Sequence, residues 1–155
     1  MKYLLDSNIL IYAARPTPAY ATLRQWVQHP DAAVSTLSQV EVLGFHRLEA
    51  QDELFLRLAF AALPPPAISA AVLGRAVWVR QQFRLKTPDA IIAATALEHG
   101  LTLVTADQGF ANLPGLPVID PLAAWRPPGP ALIRRPVGAH TGAAAAGLKE
   151  YLLAT

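Results

Sequence analysis

The first fourteen residues constrain the fold more than any other stretch of the chain. A short apolar run ends at Asp6, two small polar residues follow, and an apolar segment with helical spacing continues to Ala14. This pattern predicts a buried strand, an acidic turn and a helix. If Leu4 and Leu5 lie in a central strand, Asp6 lies at its carboxyl end, the edge where open α/β sheets bind ligands.

Strand and helix patterns alternate along the rest of the chain. Apolar runs at residues 32–36, 102–105 and 117–119 predict further strands. Helical spacing predicts helices at residues 20–28, 38–48, 51–63, 69–83 and 87–97. Alternation of this kind is typical of an α/β fold with a parallel sheet.

Several residues mark the expected helix ends and faces. Ser38 to Glu41 has the S-x-x-E form of a capping box, so a helix is expected to open at Ser38. Thr87 and Pro88 form a cap and a first-turn proline before Asp89, and Gly100 suits the C-terminal cap. Helical spacing also predicts two apolar faces. One is formed by Leu54, Phe55, Leu58 and Ala62, and the other by Val72, Leu73, Ala76, Val77 and Val79 or Phe83.

Composition excludes several classes of protein. An apolar fraction of 53% and a charged fraction of 15% over 155 residues predict one compact domain. The absence of cysteine excludes disulfides and thiolate metal sites, and fits a reducing, cytoplasmic compartment. Asp6 interrupts the apolar start too early for a secretory signal, and the longest uncharged run, 58–74, contains three consecutive prolines. No membrane span is therefore expected.

Charge is unevenly distributed along the chain. Residues 1–125 hold 9 Lys/Arg and 10 Asp/Glu, giving −1, whereas residues 126–155 hold 4 and 1, giving +3. The overall charge of +2 therefore says little about nucleic-acid binding by the globular part. Residues 126–155 are rich in Pro, Gly and Ala, and are expected to form an extension to a domain at 1–125. The extension is either a loosely held tail or an arm that docks on a partner subunit.

Four acids are predicted to share one edge of the sheet. Asp6 ends the first strand, and Asp107 lies just beyond the strand at 102–105. Glu41 and Asp89 lie in the first turns of predicted helices, and helix starts lie at the carboxyl edge in βαβ units. All four carboxylates should therefore project toward that edge.

Clustered carboxylates repel one another unless protons or cations intervene. Oxygen ligands without nearby Cys or patterned His suit Mg²⁺ or Mn²⁺, and such a cluster can hold one or two ions. Bound metal can activate a water and stabilise the oxygens of a phosphodiester. Asn8, Ser38 and Thr105 are neutral oxygen groups suited to orienting ligands or water.

Each acid also has a structural interpretation. Glu41 can complete the capping box, Asp89 can complement the helix dipole, Asp107 can cap a short turn, and Asp6 can make a turn. These interpretations explain each acid separately, but not their joint convergence on one edge.

The four motifs resemble those of PIN-domain ribonucleases, and the short length resembles the VapC toxins of bacterial toxin–antitoxin pairs. The resemblance extends from residue 1 to about residue 122 and is carried by the stretches 4–8, 35–41, 87–96 and 103–110.

The resemblance implies a three-layer α/β/α fold with a short parallel sheet, and a Mg²⁺- or Mn²⁺-dependent endoribonuclease. It also implies an acidic site with supporting polar residues, a homodimer and an inhibitory cognate antitoxin. The acidic site would consist of Asp6, Glu41, Asp89 and Asp107, supported by Thr105 and Asn8. Arg80, Arg84 and Lys86 precede Asp89 and are candidates for contacts with RNA phosphates, although a solvated basic face explains them equally well.

Two other functions compete with RNA cleavage. An aspartyl-phosphate phosphatase would use Asp6 as nucleophile, but it needs a second carboxylate where this chain has Asn8. A non-catalytic module, either a phospho-receiver or a PIN-like interaction domain, is the other alternative. A receiver needs a lysine after a late strand, and no lysine lies between Lys86 and Lys149. An inactive PIN-like module would have lost acids that this chain retains.

Overall fold

The computed structural model describes residues 1–46 and 48–123. This part of the chain contains four strands, six α-helices and two short 3₁₀ turns at Pro18–Tyr20 and Gln108–Phe110. The strands are β1 (Tyr3–Leu5), β2 (Ala32–Val34), β3 (Thr102–Val104) and β4 (Val118–Ile119). The helices are α1 (Ser7–Ala14), α2 (Leu23–Val27), α3 (Thr36–Leu43), α4 (Ala50–Ala62), α5 (Ala70–Phe83) and α6 (Thr87–Glu98).

The strands form one parallel sheet in the order β2-β1-β3-β4. Leu4 of β1 pairs with Ala33 of β2 on one side and with Leu103 of β3 on the other. The first strand in the chain is therefore a central strand, as its apolar run predicted. Because all four strands point the same way, the residues that follow them meet at one edge.

Side-chain alternation along the strands divides the core into two layers. Leu4 and Leu103 belong to a cluster with residues of α5 and α6, whereas Leu5 and Val104 belong to a cluster with residues of α1 and α4. All four leucine and valine side chains are fully buried. Successive strand residues point to opposite faces, so helices cover both sides of the sheet. The predicted three-layer α/β/α fold is confirmed.

Helix α6 runs from the carboxyl edge of the sheet back to its amino edge, where β3 begins. It begins at Thr87, carries Asp89 in its first turn and ends before Gly100, which has a φ of +62°. Glycine adopts this left-handed conformation at little cost, so the chain reverses there and enters β3. Since α6 ends at the amino edge of β3, its first turn lies at the carboxyl edge. Lys86, not Thr87, is the N-cap.

The start of α3 differs from the prediction. Ser35, not Ser38, is the N-cap, and its hydroxyl accepts from the Leu37 N–H at 3.2 Å. The helix therefore begins at Thr36, and Glu41 lies in its second turn, where no capping box can form. A serine at either position can cap a helix. Because β2 ends at Val34, the helix begins at Thr36, two residues earlier than predicted. The helix also ends at Leu43, earlier than predicted.

The predicted apolar faces of α4 and α5 are partly wrong. Leu54 and Leu58 are each 62% exposed, and Leu73 and Val77 are also exposed. Spacing groups apolar residues on a helix face but does not say which face the sheet covers.

No helix in the described part of the chain is long and apolar enough to cross a membrane. The predicted extension at residues 126–155 lies outside the described residues.

Candidate active site

The Asp6 carboxylate accepts four hydrogen bonds at the carboxyl edge. Its Oδ1 accepts from the Ser7 N–H at 2.7 Å and from the Ser7 hydroxyl at 3.2 Å. Its Oδ2 accepts from the Asn8 amide at 2.8 Å and from the Thr105 hydroxyl at 2.7 Å. Asp6 is also the N-cap of α1, and its own N–H donates to the Val104 carbonyl at 3.0 Å. The side chain is 6% exposed, so these bonds fix it in one orientation.

Asn8 and Thr105 connect this carboxylate to the loop after β3. The Asn8 Nδ2 donates to Thr105 Oγ1 at 3.0 Å, and Asn8 Oδ1 accepts from the Ala106 N–H at 3.3 Å. Thr105 Oγ1 also accepts from the Asp107 N–H at 3.0 Å. The predicted polar residues Asn8 and Thr105 therefore join two of the four predicted acids, Asp6 and Asp107, across β1 and β3.

Asp107 lies at the start of a tight turn. Its Oδ1 accepts from the Gly109 N–H at 2.8 Å, which caps the 3₁₀ turn as predicted. Phe110 is 2% exposed and belongs to the core cluster of α5 and α6. The turn is thus anchored by Thr105 before it and by Phe110 after it.

Glu41 and Asp89 reach the same edge through their elements. Glu41 lies in the second turn of α3, which follows β2, and its side chain is exposed. Asp89 lies in the first turn of α6 and is half-buried. Within residues 1–46 and 48–123, no three His, Asp or Glu side chains form a group that could hold a metal ion. A metal site made by all four acids stays a prediction.

Ser38 is a buried hydroxyl on α3. Its side chain is fully buried, and its Oγ has no hydrogen-bond partner within the part of the chain that the structure describes. An unsatisfied buried hydroxyl costs free energy and calls for an explanation. Hydroxyl and carboxylate oxygens are ligands that suit Mg²⁺ and Mn²⁺, so the residues present fit such an ion chemically.

The predicted RNA-binding residues lie beside the first turn of α6. Arg80 is in the last turn of α5, and Arg84 and Lys86 lie in the short connection to α6. All three side chains are exposed. Arg84 has a φ of 55°, a left-handed conformation uncommon for a residue with a side chain.

Sequence reasoning missed three residues near these acids. Ser7 donates twice to Asp6, and Asp120 directly follows β4 just as Asp6 directly follows β1. Gln108 Nε2 donates to Asp120 Oδ2 at 3.0 Å. The signal for Asp120 was present, because an acid after a predicted edge strand lies at the same edge as the other acids.

The PIN domain profile matches residues 3–116. This chain belongs to the PIN domain family. PIN domains are generally nucleases, and they usually use divalent metal ions. The predicted PIN domain is therefore confirmed.

Solved structures of similar proteins include a toxin–antitoxin complex from Klebsiella pneumoniae. That chain is 34% identical, with a TM-score of 0.64, and the match covers 77% of this PIN domain chain and 98% of that chain. VapBC2 from Rickettsia felis, bound to a promoter DNA fragment, is 24% identical, with a TM-score of 0.64 and coverage of 77% and 98%. FitAcB from Neisseria gonorrhoeae is 24% identical, with a TM-score of 0.62 and coverage of 78% and 99%. The last two support the fold alone. No match was found among curated proteins.

Proposed function

We propose that this PIN domain is a divalent-metal-dependent endoribonuclease and the toxin of a toxin–antitoxin pair. The observation that carries the proposal is the hydrogen-bonded network of Asp6, Asn8, Thr105 and Asp107 at the carboxyl edge of the sheet. This network holds polar side chains in a fixed geometry at the edge where open α/β sheets bind ligands, and a PIN domain is generally a nuclease.

The ion would be held by the carboxylates of Asp6, Glu41, Asp89 and Asp107. Mg²⁺ or Mn²⁺ suits these oxygen ligands, as one ion or as a pair. When bound, such an ion lowers the pKa of a water and stabilises the oxygens of the phosphodiester that is cleaved.

The chain's own residues prepare the site. The four hydrogen bonds that the Asp6 carboxylate accepts hold it in one orientation, so it loses little rotamer freedom on binding a ligand. Thr105 and Asn8 keep the Asp107 turn beside it. The buried Ser38 hydroxyl can orient a water or a ligand oxygen near Glu41, which lies one turn further along α3.

Exposed cations beside the acids would bind the RNA backbone. Arg80, Arg84 and Lys86 lie next to the α6 turn that carries Asp89. Phosphate contacts of this kind position a nucleic acid without reading its sequence.

The partners proposed are a cognate antitoxin and a second copy of the chain. The 34% identical neighbour is a toxin–antitoxin complex, which supports an antitoxin. Exposed Leu73, Val77 and Trp78 on α5 provide an apolar surface consistent with a homodimer.

The test is cleavage of RNA by the purified chain with Mg²⁺ or Mn²⁺. Asp6→Asn and Asp89→Asn should each lower kcat by about a hundredfold or more, because each removes a carboxylate from the reacting centre. The matched control is Glu98→Gln, an acid at the other end of α6 from Asp89 that binds Arg75 at 2.6 Å. It should keep wild-type activity. Full activity in both aspartate variants would refute the proposal.

The competing functions give different outcomes. A phosphatase would trap a phosphoryl group on Asp6, and Asn8 leaves it without the second carboxylate that chemistry needs. A binding module would show no heat of divalent-metal binding by calorimetry and no RNA cleavage.

A further inference from the structure

A fifth acid lies at the carboxyl edge and contacts the turn that carries Asp107. Asp120 directly follows β4, and its Oδ2 accepts from Gln108 Nε2 at 3.0 Å. Its Oδ1 accepts from the Leu122 N–H at 2.9 Å. Gln108 is the residue immediately after Asp107. The carboxylate of Asp120 therefore links the Asp107 turn to the segment that follows β4.

Gln108 is exposed and lies between the two anchors of this turn. Asp107 donates its N–H to Thr105 Oγ1, and Phe110 is buried in the core. Between these anchors, the orientation of the Asp107 carboxylate depends on its bond from the Gly109 N–H. A side chain that restrains Gln108 therefore restrains the backbone on both sides of it.

The segment after β4 is anchored to the core by a buried side chain. Leu122 is 8% exposed and packs in a cluster with Tyr12, Tyr20 and Leu23. Ala106, the residue before Asp107, packs against the same cluster. Asp120 thus lies between a buried anchor at Leu122 and the exposed Gln108.

We propose that Asp120 is a positioning residue, acting through Gln108 to hold the turn that orients Asp107. This inference rests on the proposed nuclease function. This role requires the two hydrogen bonds that Asp120 accepts, from the Gln108 side chain and from the Leu122 N–H. It does not require the negative charge of the Asp120 carboxylate.

Asparagine at position 120 distinguishes geometry from charge. Its carbonyl oxygen can accept from the Leu122 N–H, and its amide can donate to the Gln108 oxygen once the Gln108 amide turns over. Asp120→Asn therefore keeps both contacts and removes only the charge, whereas Asp120→Ala removes both contacts. Gln108→Ala removes the hydrogen bond between Asp120 and the turn and leaves the Leu122 contact in place.

The first measurement is amide hydrogen exchange in the full chain without metal or RNA. Asp120→Ala and Gln108→Ala should each accelerate exchange at Asp107 and Gly109 by about three- to tenfold, the size of one hydrogen bond in an opening equilibrium. The double variant should exchange no faster than Asp120→Ala, because Gln108→Ala removes a contact that Asp120→Ala has already removed. Asp120→Asn should resemble wild type. The urea midpoint of Gln108→Ala should not change, since the hydrogen bond it removes is exposed and adds little global stability.

The second measurement is RNA cleavage at saturating RNA. Asp120→Ala and Gln108→Ala should lower kcat by about tenfold with KM unchanged, and Asp120→Asn should keep wild-type kcat. Unchanged exchange at Asp107 and Gly109, faster exchange throughout the core, or an Asp120→Asn variant as impaired as Asp120→Ala would each overturn the inference. A wild-type chain that fails to cleave RNA would refute the proposed nuclease instead, because the exchange comparison needs neither metal nor RNA.

Discussion

At the scale of single residues, the site depends on close approaches between small groups. Gly109 brings its N–H to 2.8 Å from Asp107 Oδ1. A Cβ atom at Gly109 would lie 3.1 Å from that oxygen and 3.8 Å from Asp107 Cγ. Gly109 does not have a positive φ, so its role concerns space and not backbone conformation. The missing side chain leaves room for the carboxylate.

We therefore expect Gly109→Ala to displace the Asp107 carboxylate by a few tenths of an ångström and weaken its bond to the turn. RNA cleavage should fall by about tenfold in kcat/KM, because catalytic groups tolerate little displacement. The melting temperature should change little. Gly74→Ala is the matched control, since nothing lies within 4 Å of a Cβ there. Wild-type cleavage by Gly109→Ala would contradict this account.

At the scale of elements, two glycines have opposite roles. Gly74 lies in the middle of α5, where glycine lowers helix stability, and a Cβ there meets open space. Gly100 follows the C-cap of α6 with a φ of +62°, where a side chain strains the backbone although there is space for it. The same substitution should therefore change stability in opposite directions.

We expect Gly74→Ala to raise the free energy of unfolding by about 0.5–1 kcal/mol. Gly100→Ala should lower it by about 1 kcal/mol, because alanine must adopt a left-handed conformation to end α6 there. Urea unfolding measured side by side checks both. Equal changes of the same sign would show that backbone conformation does not decide the effect at these sites.

At the scale of the whole molecule, helices α1 and α2 and the last described segment enclose two tyrosines. Tyr12 and Tyr20 stack with ring centroids 5.1 Å apart, and both are more than nine-tenths buried. Burial raises the pKa of Tyr12 above its ordinary value of 10.0, and the charges of Tyr20, Asp6 and Asp107 raise it further. Arg15 opposes this shift. Burial also raises the pKa of Tyr20.

These shifts predict alkaline destabilisation of the fold. Unfolded tyrosine loses its proton near its ordinary pKa of 10.0, whereas folded Tyr12 and Tyr20 retain theirs. Stability from these groups is therefore complete below pH 10 and is lost as pH rises above it. Tyr12→Phe should flatten this decline, measured by urea unfolding at about pH 8 and about pH 11. A decline as steep as in wild type would show that other groups cause it.

Much of the fold could be predicted because local patterns agree with the final architecture. The run around Leu4 and Leu5 predicted a central strand, and the positions of most helices followed from spacing and from prolines. The start of α3 could not be predicted, since Ser35 and Ser38 cap equally well in isolation. The exposed Leu54 and Val77 were missed because a helix with apolar residues on several sides does not reveal which side the sheet covers.

The order of residues along the chain by itself determined which groups could meet. It placed Asp6 after a strand, Asp89 at a helix start and Asp107 after another strand, and parallel strands bring such positions to one edge. Only the tertiary structure decided which groups touch. Thr105 joins Asp6 to Asp107, and Asp120 reaches Gln108, because β1, β3 and β4 lie side by side in the sheet. Contacts between residues 99 positions apart, such as Thr105 with Asp6, depend on strand order and register, which local patterns do not encode.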